Sequence, residues 1–145
     1  MSSIDEVKSQ LLGAGTPFKR IAGATALAAI GAGKRPAGEL PQAFVLFARD
    51  VSADNSRPAT GKVLQRQERD LVVVFYLEDL SEPLGEASAD ELEAAKLFVR
   101  GKLVGFVPSD MKLKITHVNG EVTEADKGYV CFEDTFSAPT YIEEV

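Results

Sequence analysis

Residues 71–77 read Leu-Val-Val-Val-Phe-Tyr-Leu, the longest unbroken run of large apolar side chains in the 145-residue chain. In an extended backbone Leu71, Val73, Phe75 and Leu77 point to one side and Val72, Val74 and Tyr76 to the other. Both faces of the strand are therefore apolar. A strand of this kind is either central in a sheet covered on both sides, or belongs to a sheet whose second face is covered by another subunit. The preceding residues 63–70, VLQRQERD, are also extended but interleave polar side chains. They either carry the strand beyond the body of the domain or pair with 71–77 after a bend.

Working outward, a long helix is predicted over Ser88–Val104. Ser88 and Glu91 have capping-box spacing, Leu92, Ala95, Val99 and Leu103 form its buried stripe, and Gly105 and Pro108 end it. Upstream, Ala43–Ala48 (AFVLFA) reads as a short strand, followed by the polar loop 49–61, RDVSADNSRPATG. A polar loop this long in a compact domain is a candidate contact surface. Before it lie a connector at 34–41, an alanine-rich helix over Ala24–Ala32 and a short strand over Phe18–Ile21. The first helix is expected to be capped by Ser3 and Glu6 and to bury Ile4, Val7, Leu11 and Leu12. Downstream, Met111–Val118 alternates like a strand, Asn119-Gly120 is a hairpin-turn signal, and the return strand is expected over Tyr129–Thr140. For the acidic C-terminal end the reading is solvated disorder. The order α-β-α-β-β-α-β-β, without repeat or internal boundary, predicts one α+β domain over 1–145. Its sheet is mostly antiparallel (mixed), with helices packed on it.

Composition narrows the function. At 45% hydrophobic residues the chain has enough apolar side chains for a core and too many for a disordered protein. No apolar run reaches the length of a membrane span, and the opening MSSIDEVKSQLL does not read as a secretory signal. One cysteine, Cys131, and one histidine, His117, exclude an internal disulfide and metal sites rich in either residue. The net charge of −6 is graded. Residues 1–40 hold five basic and three acidic residues, whereas residues 111–145 hold three and seven. Such a balance argues against tight binding to nucleic acid phosphates.

No catalytic constellation is visible. Gly31-Ala32-Gly33-Lys34 lacks the spacing of a phosphate loop, with Ala28 and Arg35 where that motif needs Gly and Ser or Thr. His117 is a candidate general base without a nucleophile beside it, and reads more simply as a surface or hairpin histidine. Cys131 reads as a small buried hydrophobe. The carboxylate pairs Glu78/Asp79, Glu133/Asp134 and Glu143/Glu144 fall on strands, where neighbours point to opposite faces, so they are expected to be solvated charge.

Several spaced patterns together resemble one family. They are Phe18-Lys19-Arg20-Ile21-Ala22-Gly23, Pro41-Gln42-Ala43-Phe44-Val45, and Arg66 and Gln67 leading into Val72 and Val74. Asp90, Leu92 and Val99 then run into Leu103-Val104-Gly105-Phe106-Val107-Pro108, followed by Gly120, Tyr129 and Phe136. Over nearly its whole length the chain resembles the tail terminator proteins of long-tailed bacteriophages, especially those of Mu-like siphophages and related prophages. Phe106 stands where a tryptophan is expected, and the SAPTYIEEV end is longer and more acidic than usual.

The resemblance implies a structural virion protein, without cofactor, metal or enzymatic activity. It implies a homo-hexameric ring that caps the finished tail tube, stops its polymerisation and provides a docking surface for the head connector. DNA only passes through the lumen. The implied partners are further copies of the chain, the tail tube protein and the connector or stopper protein, with no membrane. The place is the neck end of the virion tail, assembled in the bacterial cytoplasm. A head–tail connector or tail-completion protein is the nearest alternative, and a small α+β enzyme or ligand-binding domain the one from another class. The expected interface residues are Arg49, Asp50, Asp54, Arg57, Lys62, Arg66, Glu78 and Asp79. Among them Asp50, Asp54, Glu78 and Asp79 are expected to face the lumen or a ring surface, and Arg57 and Lys62 to meet acids on the tube or connector.

Overall fold

A computed structural model describes residues 2–145 except 32, 58, 60, 79–85, 111 and 127. Its elements are α1 (Ser3–Leu11), β1 (Arg20–Ala22), α2 (Ala24–Ile30), β2 (Gln42–Ser52), β3 (Leu64–Glu78), α3 (Glu86–Leu103), β4 (Thr116–Asp126), β5 (Tyr129–Ser137) and β6 (Thr140–Glu143). They form the predicted α+β domain, with a six-stranded mixed sheet ordered β1-β2-β3-β5-β4 and β6 on β3. Only the β1–β2 pair is parallel among these ladders.

The run 71–77 is the inner half of the central strand, and both of its faces are covered within the chain. Leu71, Val73, Phe75 and Leu77 pack under α1 and α3, against Val7, Leu11, Ala95, Val99 and Leu103. Val72, Val74 and Tyr76 join Phe44, Tyr129 and Cys131 beneath Ala26, Leu27 and Ile30 of α2. The alanines let the short helix lie close to the sheet. Residues 64–70 continue the same strand without a bend and belong to neither core, as their mixed exposure shows.

Several local expectations are corrected. The first cap is Ser2, not Ser3: Ser2 and Asp5 exchange the capping-box hydrogen bonds. Ser3 instead bonds Asp110, and Glu6 accepts from the Ser109 N–H at 3.0 and 3.2 Å, so both tie α1 to the loop after α3. Leu12 caps α1 and is exposed, outside the buried stripe. The long helix begins at Glu86, which puts Ser88 inside its first turn and removes it as a cap. Arg49–Ser52, read as loop, extend β2. Asn119-Gly120 is not a turn. It lies within β4, and the chain reverses between Asp126 and Tyr129, where Gly128 has φ 91°. The C-terminal end is not loose either: β6 continues the course of β5 along β3, with Leu64 opposite Glu143 and Gln67 opposite Thr140.

Candidate functional site

Two polar arrangements stand out, one inside the fold and one at its end. The inner one centres on Asp134, which is fully buried. Its place on β5, between Phe132 and Phe136, turns it toward the face covered by α1 and α3. Arg100 of α3 donates to it through Nε at 3.1 Å and Nη2 at 3.0 Å, and His117 Nε2 lies 2.7 Å from its Oδ1. The His117 ring also sits edge-on to Phe136, centroids 5.2 Å apart. The Glu133/Asp134 pair does split across the sheet. The expectation of solvated charge nevertheless fails for Asp134, which ties a helix to two strands. Sequence reading missed this cluster because its members are 17 and 34 residues apart along the chain.

The arrangement holds an imidazole and a guanidinium on one carboxylate but places no nucleophile on the imidazole. Among the described residues His117 makes no other hydrogen bond, and no three His, Cys, Asp or Glu side chains group as metal ligands. Cys131 is buried as expected, and burial pushes its thiol up from the ordinary cysteine range, keeping it protonated and unreactive. The folded protein is accordingly expected to resist alkylation by iodoacetamide until denaturant is added, as mass spectrometry of the thiol would show.

The outer arrangement is an arm of three strand segments, the outer halves of β2 and β3 together with β6. At about 3.3 Å per residue, Leu64–Asp70 spans roughly 20 Å. Arg69 fixes its root, stacking 4.3 Å from the Phe47 ring and donating Nε–H to Ala138 O at 3.0 Å. Its tip is closed by Ser56 N–H to Leu64 O at 2.9 Å and by Asn55 Oδ1, which accepts from Leu64 N–H at 2.9 Å.

Six of the eight expected interface residues come together here: Arg49 and Asp50 on β2, Asp54 and Arg57 at the tip, Lys62 beside it and Arg66 on β3. Glu78 does not join them. It sits at the far end of β3, 3.8 Å from Arg35. Asp79 lies outside the described residues.

Two of the six are committed within the chain. Arg57 pairs with Glu143 at 3.0 Å, and Arg66 pairs with Glu68 at 2.7 Å, holding that carboxyl below the usual range. Arg49 and Lys62 are exposed and make no ion pair with any described residue. The sequence reading missed Tyr141 and Glu143, which β6 brings beside Arg66 and Leu64. They help line an open cavity of about 490 Å³ with Asp54, Arg57, Leu64 and Arg66. Val51 and Tyr141 leave apolar surface in water on the arm.

No helix among the described residues is long and apolar enough to cross a membrane. A comparison with protein families matches residues 3–144 to the family described as phage tail terminator protein. A comparison with curated proteins finds no matching relative.

Proposed function

We propose that this chain, which belongs to the phage tail terminator family, closes the finished tail tube as a homo-hexameric ring, stops further tube polymerisation and presents its opposite face to the head connector. Membership itself gives a structural part in completing the phage tail, interaction with other tail components and a place in the tail of the virion. It also points away from enzymatic activity.

The arm is the observation that supports the finer reading. Among the described residues no helix lies over this three-stranded ribbon, Val51 and Tyr141 are exposed, and Arg49 and Lys62 make no ion pair. These are features a tube or connector surface would bury. Asp50 sits partway along β3, opposite Arg69, whereas Asp54 lies at one end of that strand and Glu78 at the other. With β3 along the ring axis Asp54 and Glu78 flank opposite mouths of a lumen, where negative charge repels passing DNA. Ring formation by one kind of subunit needs two different complementary patches on each copy.

Testing the arm requires residues whose side chains make no ion pair with another described residue. Arg57→Glu would break the pair with Glu143 and loosen β6, and Arg49→Glu would set a like charge opposite Asp70, so Arg49→Gln with Lys62→Glu is the cleaner double substitution. Its melting temperature is expected to stay within a few degrees of the parent, as for exposed sites generally. In particles from a phage carrying it, electron microscopy is expected to show overlong tails without heads. Normal-length tails that fail to join heads would move the role to the connector side of the neck. Normal, infectious particles would remove the arm from the interface.

A further inference from the structure

Among the described residues the strand order of the sheet ends on two strands of opposite charge. One is β4, whose Thr116–Asp126 segment carries Glu121, Glu124 and Asp126 and neither Lys nor Arg. The other is β1, where Arg20 and the preceding Lys19 are exposed. Arg20 and Glu121 occupy the same sheet face, whereas Lys19, one residue before Arg20, lies with Leu77 and Ala94 on the other. Arg20 lies 6.0 Å from the Phe44 ring and is two residues from Ala22, which packs with Phe44. Glu121 stands opposite Glu133, two residues from Cys131 of that same cluster. Like charges directly opposite on a sheet destabilise it, and neither glutamate makes an ion pair with a described residue.

Length and direction match as well. The β4–β5 register shifts between His117 and Asn119 and again between Val122 and Glu124. The regular stretch between the bulges is therefore Asn119–Val122, close in length to the three-residue β1. It is flanked and ended by Val118 and Val122, which are 53% and 50% exposed. β1 runs with β2, and each step from β2 through β3 and β5 to β4 is antiparallel. Hence β4 runs against β1. Copies placed side by side in one orientation bring β4 of one antiparallel to β1 of the next, the head-to-tail kind of contact from which rings of one subunit are built.

We propose that copies of this chain join through these edges, with Asn119–Val122 of β4 in one copy pairing with Arg20–Ala22 of the next. Arg20 of the second copy then faces Glu121 and Glu133 of the first. The inference gives the ring of the preceding section its subunit contact, and in that respect rests on it.

Charge reversal tests it with a signature that a purely structural role does not give. Glu121→Lys replaces the repulsion toward Glu133 by attraction within the subunit, so the isolated variant is expected to melt at or above the parent temperature. In a phage lacking the gene, the same variant is expected to restore infectious titre about tenfold less well than the wild type, and so is Arg20→Glu. The two changes together are expected to recover most of the titre. Full titre from each single variant, or no recovery in the double, overturns the edge pairing while leaving the tail role intact. If disrupting the gene leaves tails and titre normal, the tail role itself falls. Sedimentation velocity of the same purified proteins then decides the edge: association lost in the single variants and regained in the double supports it, and a wild type that never associates overturns it.

Discussion

Arg100→Met is expected to cost the fold about 3 kcal/mol, the low end of the range for breaking one side of a buried ion pair. The carboxylate of Asp134 has no exposure, so without the guanidinium its charge remains in the core with His117 as its one hydrogen-bonding side chain among the described residues. The Arg100 side chain is 35% exposed, and water admitted beside the shorter methionine moderates the loss. For a domain of this size the change corresponds to a fall of roughly 6–12 °C in melting temperature. Urea unfolding measures it directly, as a lower midpoint at unchanged slope. Arg100→Lys keeps the charge and loses the two-pronged geometry, so it is expected to fall between the parent and Arg100→Met. A loss below about 1 kcal/mol for Arg100→Met would mean that solvent already reaches Asp134 in the folded state.

What the sequence shows of this fold follows from how far each signal reaches along the chain. Alternation over seven residues is a local signal, and 71–77 correctly marked the centre of the sheet because both of its faces are buried in the subunit. The stripe of α3 at Ala95, Val99 and Leu103 was legible for the same reason. The first cap was misplaced by one residue because Ser2/Asp5 and Ser3/Glu6 are overlapping copies of one spacing. Only the loop after α3, which takes up Ser3 and Glu6, decides between them. The C-terminal segment reads as disordered because it is short and acidic and carries no alternating apolar pattern, and its side chains are indeed mostly exposed. Strand β6 is specified by backbone pairing with β3, which leaves no apolar pattern. Six of the expected interface residues lie on one arm because they come from one polar stretch of the chain. Tyr141 and Glu143 were missed because nothing near them in sequence shows that they return to it. Arg100, His117 and Asp134 belong to three separate elements, and no periodicity connects them.

Gly120 is where local and tertiary readings diverge most, and its substitution carries the other large expected effect. Asn-Gly suggested a hairpin turn, since a turn needs a residue free to adopt positive φ. Gly120 has no positive φ and lies within β4, directly opposite Asp134. Its need for a bare Cα is steric: a Cβ there would lie 2.6 Å from Phe132 Cζ and 2.7 Å from Asp134 Oδ1. Neither neighbour yields easily. The Phe132 ring is held between Phe75, centroids 5.2 Å apart, and Lys96 Nζ, 4.7 Å from its centroid. Asp134 is held by Arg100 and His117. Gly120→Ala is therefore expected to cost about 3 kcal/mol, the upper end for overpacking a well-filled site. Part of that loss arises because the methyl group pushes Asp134 off the Arg100 fork. In an Arg100→Met background the carboxylate is freer to move, so Gly120→Ala should cost less there, by about 1 kcal/mol. Urea unfolding of the four proteins gives that coupling. Additive losses would place the whole cost on Phe132, and a Gly120→Ala protein as stable as the parent would mean that β4 can bow outward at the sheet edge without loss.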